Sequence, residues 1–429
     1  MIRERERMPG RWTIGVAASL VMVASVTAQQ AETLGERLVR APSVRAALDA
    51  VEAIEPETLD EQVRLCEVPA PPFEEAARAQ VYRDRFVALG LQDVRIDAEG
   101  NVLGERPGRS DGPHLVFSAH LDTVFPPGTD VRVTRDGPIM RGPGIADDCR
   151  GLAVLLAVVR ALDRGGVETR GPITFVGTVG EEGLGDLRGV KHLFAEELRD
   201  QVDRFVAIDG TGYGITHAAV GSRRYRIRFQ GPGGHSYGDF GAANPMHALG
   251  RAIAAIARFR VPDDPKTTFS VGRVGGGTSI NAIASEAWME VDMRSEDAEA
   301  LADLDRQFQD AVQGALRDEN TRWGGRGRLT VVSELVGDRP AGRTARDSAI
   351  VETAISVSRA LDLPVSLDAG STDANVAMSL GIEAITIDAG GRGSGAHSPG
   401  EVFDATDSWL GTQRALLVAI GLAELAEPY

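Results

Sequence analysis

The stretch from residue 113 to residue 151 constrains this chain more than any other. It opens with a short apolar run, His114 to Ala119, that reads as a buried strand and stops at the pair His120-x-Asp122. A packed sheet holds the side chains at its strand ends still while the loops leave them open, so an imidazole and a carboxylate placed there are available for chemistry. His120 could bind a metal through one ring nitrogen while Asp122 fixes the ring, because a metal-bound imidazole usually donates its other N–H to a carboxylate. Alone, the pair reads equally well as a loop histidine beside a helix-capping aspartate. The second half of the stretch weighs against that. Gly142, Pro143 and Gly144 make a tight turn, Asp147 and Asp148 follow, and Gly151 opens a run with Leu152, Leu155, Leu156, Val159 and Leu162 on one helical face. Capping accounts for one acid at a helix N-terminus; a second beside it, close behind a His-x-Asp strand end, calls for a cation.

The pattern recurs twice. Ile173 to Val179, rich in β-branched residues, ends at Glu181-Glu182, and Phe205 to Ile208 ends at Asp209-Gly210. Neighbouring acids are often only solvated surface charge and a lone Asp-Gly is usually a turn. Three strands that each deliver acid or imidazole at the same end favour one shared site. His397 joins late in the chain, in the loop Gly395-Ala396-His397-Ser398-Pro399. It has no obvious packing role, unlike His192 and His247, which lie in helical patterns.

Around these strands the chain alternates. Helices are expected at 45–67 and 73–90, separated by Pro69, Pro71 and Pro72, then strands at 92–96 and 114–119 and a helix from Asp148 to Arg164. From 218 to 337 the order becomes strand, helix, strand, strand, helix, strand, the ferredoxin-like split, and this segment is long enough to fold as an inserted domain. The α/β alternation then resumes to the end. The fold class is therefore α/β, a mixed sheet flanked by helices plus an inserted βαββαβ domain, with the first domain in two parts, 45–217 and 338–429.

Residues 1–28 stand apart. Arg3, Arg5, Arg7 and Arg11 precede an uncharged run from Trp12 to Val26, and Val26-Thr27-Ala28 fits a small-x-small cleavage site, so this segment reads as a secretory signal peptide. A membrane anchor needs roughly 20 apolar residues, and this run is shorter. Export to the periplasm or beyond is expected, with no membrane association after cleavage. Removing the leader takes four arginines and two glutamates, moving the net charge from −16 to −18. Such a charge argues against nucleic acid and anionic membranes as partners. Cys66 and Cys149 read as two small buried residues in preference to a bridge or a nucleophile.

Together, Ser-Ala-His120-Leu-Asp122-Thr-Val, Gly-Pro-Gly-Ile-Ala-Asp147-Asp148, Glu181-Glu182, Asp209, Gly234-His235-Ser236 and Ala396-His397-Ser398 stand in the order of the co-catalytic dizinc peptidase and aminoacylase family. That family includes carboxypeptidase G, peptidase T, aminoacylase and succinyl-diaminopimelate desuccinylase. The resemblance covers nearly all of the chain after residue 28. It implies a zinc-peptidase-like catalytic domain with two Zn2+ per subunit, one held by His120, Asp147 and Asp209 and the other by Asp147, Glu182 and His397. Asp122 would orient His120, and Glu181 would be the general base. Oxygen and nitrogen ligands without thiolate suit hydrolytic zinc, and paired zinc ions lower the pKa of water and stabilise the charge of amide hydrolysis. The resemblance makes the insert a lid and dimerisation domain, with His235 reaching the partner subunit's site in a homodimer. Asn281 and Arg294 match lid positions that hold polar or carboxylate groups of the substrate.

Three functions follow as expectations. The first is an exported exopeptidase acting on short peptides from the amino end, in the manner of a tripeptidase. The second is an N-acyl-amino-acid amidohydrolase or a carboxypeptidase. The third is a catalytically silent metal- or substrate-binding protein, against which Glu181 argues, since a protein that only binds has no use for a base beside a full ligand set.

Overall fold

The apolar run before His120 is a strand, Leu115–His120, buried along its whole length, in a computed structural model that describes residues 32–198, 201–324 and 326–427. The expected leader lies outside the described residues. Leu115–His120 pairs in parallel with Ile173–Thr178 on one side and Arg204–Ile208 on the other, and Arg204–Ile208 pairs in parallel with Glu383–Ile387. His120 sits opposite Thr178, and Ser118 opposite Ala207. The residues after Thr178 and Ile208 therefore emerge level with His120 and Asp122. Antiparallel strands Val102–Arg106 and Gln92–Ile96 extend the sheet past Ile173–Thr178. Gly214–Ala219, Gly342–Arg343 and Ser366–Gly370 complete nine strands on the far side. Gly214–Ala219 does not stand out in the sequence, because Gly-Ile-Thr-His-Ala-Ala has neither an apolar run nor a clean alternation.

Both sheet faces are covered, as parallel strands require. Leu115, Phe117, Ala119, Phe175, Val206, Ile208, Ile385 and Ile387 point to one side, against helices Pro42–Cys66, Cys149–Arg164, Ala349–Ala360 and Trp409–Ala423. Val116, Val176, Phe205 and Ala207 point to the other, against Leu187, Val190 and Leu193. Each fully buried Leu, Ile, Val or Phe contributes about 1.5–3 kcal/mol over leaving it exposed. Helix Cys149–Arg164 is buried on nearly all sides rather than on one, since it lies against the sheet and two other helices.

Cys66 ends one of those helices, Cys149 begins another, and the two form a disulfide with Cα atoms 5.5 Å apart. This corrects the reading of two separate buried cysteines. The partners are 83 residues apart in sequence, and only the fold brings them together.

The inserted sheet runs Thr267–Gly276, Glu286–Ser295, Gly221–Gln230, Thr330–Arg339, all antiparallel, with helices Pro245–Ile256 and Ala298–Arg322 on one face. Met289, Val291 and Met293 point toward Leu304, Phe308 and Val312. The opposite face is polar, with Arg226 paired to Glu290 (2.8 Å) and Arg224 to Asp292 (3.0 Å). This is the ferredoxin-like order. A small sheet of Thr134–Asp136, Ile139–Arg141, Val402–Asp404 and Arg392–Ser394 sets the loop before Asp147 against the loop carrying His397. Among the described residues no helix is long and apolar enough to cross a membrane.

Candidate metal centre

His120 is the last residue of its strand, and its Nε2 lies 3.0 Å from Asp147 Oδ1. His397 Nε2 lies 3.1 Å from Asp147 Oδ2 and 3.1 Å from Glu182 Oε1. The two oxygens of Asp147 thus face two different imidazoles. Single donor atoms of His120, Asp147 and Glu182 all fall within 4.8 Å of one another. Asp209 lines the same cleft as Asp147, Glu181, Glu182 and His397. His397 has φ +63°, a conformation that costs a non-glycine residue on the order of 1–3 kcal/mol and is held here by its surroundings.

Backbone ties set this geometry. Asp148 caps its helix by accepting the Gly151 N–H (3.0 Å) and also accepts the His120 N–H (3.1 Å), so the second acid of the pair works inside the scaffold. The buried carboxylate of Asp122 accepts the N–H of Glu181 (3.1 Å) and of Glu182 (2.9 Å). His120 Nδ1 is nearer to the Asp122 carbonyl (3.1 Å) than to its carboxylate (3.7 Å). This changes the expectation for Asp122: its main chain meets the imidazole, and its side chain fixes the Glu181-Glu182 turn. Glu401 accepts the N–H groups of Gly144 (3.1 Å), Ala146 (2.8 Å) and Asp147 (3.0 Å), clamping the Asp147 loop to the His397 loop. Nothing in the sequence sets Glu401 apart from an ordinary loop acid.

The acids and imidazoles of the cleft shift one another strongly. Burial, then the nearby Asp147 and Glu181, push Glu182 up to about 8. Burial and Asp147 push Asp209 well above the carboxylate range. Asp147 is itself held low: burial raises it, but hydrogen bonds from His120 and His397 outweigh that. His397 is pushed up to about 9, chiefly by its bond to Asp147. His120 is raised despite burial, through Asp122 and Asp147. Carboxyls and imidazoles this close share protons unless cations replace them, and metal binding releases such protons. Oxygen and nitrogen donors without thiolate fit two divalent cations, with Asp147 offering one oxygen to each side.

Glu181 is buried with its Oε1 3.0 Å from Arg339 Nη1, and Arg339 also donates to the Glu181 carbonyl. Burial raises the Glu181 pKa and the Arg339 charge opposes the rise. Arg339 ends the lid strand Thr330–Arg339, so the insert reaches directly to this acid. The sequence shows Arg339 only as part of an Asp-Arg-Pro turn. The cleft has a volume of about 590 Å³, and Arg224, Asp292 and Arg294 form its lid wall. Asp292 holds both arginines, accepting from Arg224 Nε (3.0 Å) and Arg294 Nε (2.8 Å).

Of the expected residues, His120, Asp122, Asp147, Glu181, Glu182, Asp209, His397 and Arg294 meet at or directly behind this cleft. His235 and Asn281 do not line it. His235 stands exposed in the short strand Gly234–His235, paired with Ala282–Ile283. Its Nδ1 accepts the N–H of Tyr237 and of Gly238, both at 3.2 Å, which places the proton of the neutral ring on Nε2. Asn281 accepts the Ser236 N–H through its carbonyl beside it.

A sequence model described as Peptidase family M20/M25/M40 matches residues 116–420. The uncharacterised protein YqjE of Bacillus subtilis is 26% identical over 349 residues, 77% of this chain and 90% of that one. Succinyl-diaminopimelate desuccinylase of Azoarcus sp. is 30% identical over 228 residues, 49% of this chain and 60% of that enzyme. A tripeptidase structure from Staphylococcus aureus has the same fold, with a TM-score of 0.73 at 24% identity, covering 86% of this chain and 98% of that one.

Proposed function

The chain belongs to peptidase family M20/M25/M40 and is a metallopeptidase or amidohydrolase; from that premise we propose an exported dizinc exopeptidase that cleaves short peptides from the amino end. The observation that carries the reading is Asp147, whose two oxygens face His120 and His397. His120, Asp147 and Asp209 would hold one zinc, and Asp147, Glu182 and His397 the other. When bound, the ions supply Lewis-acid polarisation and make water acidic enough to attack at neutral pH. Glu181 takes the water proton and passes it to the leaving amine, and Arg339 holds the carboxylate in place for both transfers. Arg294 and Arg224 offer guanidinium groups to a substrate carboxylate.

That arginine wall also favours a second reading, an N-acyl-amino-acid amidohydrolase or carboxypeptidase, whose substrates end in the carboxylate such a wall would hold. Purified protein assayed against di- and tripeptides, N-acetyl and N-succinyl amino acids, and peptides blocked at the amine separates the two. Tripeptides with a free amine are expected to be cleaved, with activity lost to a chelator and restored by zinc. Cleavage of blocked substrates alone would replace the first reading by the second, and hydrolysis that survives full metal removal would overturn both.

We further propose a homodimer formed through the insert. His235 does not line its own chain's cleft, and Tyr237, Phe240 and Ile280, on the same segment and beside its partner strand, are exposed. Sedimentation at assay concentration should give twice the chain mass; a monomer that is fully active would remove this part. Export is supported by the residue 1–28 pattern and by the disulfide, which persists in oxidising compartments. Protein recovered from the cytoplasm with both thiols reduced would count against it.

A further inference from the structure

We propose that Asp97, His192 and Glu197, none of which lines the cleft, form a third divalent-cation site that joins the outer edge of the central sheet to the turn behind it. Asp97 follows the edge strand Gln92–Ile96, and its Oδ1 gathers the N–H groups of Glu99 (3.0 Å), Gly100 (2.8 Å) and Asn101 (2.9 Å). Its Oδ2 is oriented by Asn101 Nδ2 at 2.6 Å. Asn101 is itself fixed, donating to the Gly189 carbonyl (2.9 Å) and accepting the Val179 N–H (3.0 Å).

The other two donors come from one irregular helix. His192 ends the segment Arg188–His192, and Leu193–Glu197 continues it as a π-helix. In an α-helix, residues five apart point about 140° away from each other. The wider turn, closed by the bond from Leu198 N–H to the Leu193 carbonyl (2.9 Å), carries Glu197 back over His192. Arg95 holds Glu197 Oε2 (2.9 Å) and leaves Oε1 on the His192 side.

Single donor atoms of the three residues lie within 4.8 Å of one another. His192 Nε2 is 4.0 Å from Asp97 Oδ2 and 3.8 Å from Glu197 Oε1, both too long for hydrogen bonds. That nitrogen is buried and, among the described residues, has no hydrogen-bond partner. Buried polar atoms are nearly always satisfied, so something belongs between the three groups. Among the described residues Arg95 pairs with Glu197, and a nitrogen with two oxygens is a donor set that zinc accepts. A proton on His192, making an ion pair with both acids, is the rival occupant.

The test counts ions on the full chain after equilibration with Zn2+ and desalting. Three per chain are expected, and two in His192→Gln, with peptide hydrolysis unchanged. Asp147→Ala, which empties the cleft, should keep one ion, and adding His192→Gln to it should remove that last one. Should His192→Gln fold poorly, Glu197→Gln serves the same purpose and should lower zinc retention at this site at least tenfold. Wild type, His192→Gln and Glu197→Gln binding equal numbers of ions with equal retention would overturn the proposal. So would an imidazole spectrum showing His192 protonated on both nitrogens in protein saturated with zinc.

Discussion

Asp147→Ala is expected to lose both cations of the cleft together and to lower the hydrolytic rate at least about a thousandfold. The shared position of the residue is the reason. His120 approaches one of its oxygens and His397 the other, so alanine removes a donor from each side in a single change. The remaining groups cannot compensate, because on the proposed ligand sets each ion would keep only two side chains, His120 with Asp209 and Glu182 with His397. Lewis-acid stabilisation is worth several kcal/mol, and each 1.36 kcal/mol is a factor of ten in rate. Glu182→Ala should behave differently, losing one ion and keeping the other. Elemental analysis of the two variants beside wild type decides between them. If Asp147→Ala retains one of the two cleft ions, the residue serves one side only and its bridging role fails.

The strand ends were legible because chemistry and periodicity coincide there. A buried apolar run that stops at an acid or imidazole says both where the strand ends and that its end is occupied, and His120, Glu181, Glu182 and Asp209 all announce themselves in this way. The insert was legible for a similar reason, since Glu286–Ser295 alternates between buried and half-buried positions along its length, as an antiparallel strand with one covered face must. What remained hidden depends on contacts between distant segments. Arg339 touches Glu181 across 158 residues, Glu401 holds Asp147 across 254, and Cys66 meets Cys149 across 83. None of the three sits in a local pattern that distinguishes it from a surface arginine, a loop acid or a buried thiol. Asp122 shows a subtler limit: the His-x-Asp spacing correctly places it behind His120, but whether carbonyl or carboxylate faces the ring depends on backbone angles that spacing does not fix.

Glu181→Gln is expected to keep both cleft ions, the fold and substrate affinity while turnover falls about a hundred- to ten-thousandfold, the range of a positioned general base. Glutamine preserves the volume, and its carbonyl oxygen still accepts from Arg339 at the place where Oε1 now does, so the link between insert and cleft survives the change. The side chain loses only the capacity to take a proton from water and return it to the leaving amine. That loss falls on the transition state, so kcat and kcat/KM should decline together with KM little changed. The neighbouring change separates base from ligand: Glu182 has Oε1 3.1 Å from His397 Nε2 and shares the donor cluster with His120 and Asp147, so Glu182→Gln should weaken metal retention. The two variants therefore predict opposite results from the same pair of measurements, ion content and turnover. If Glu181→Gln loses an ion while Glu182→Gln keeps both, the two roles are exchanged. If Glu181→Gln keeps its ions and turns over as fast as wild type, the proton is carried by another group, and the buried contact with Arg339 serves only to anchor the insert.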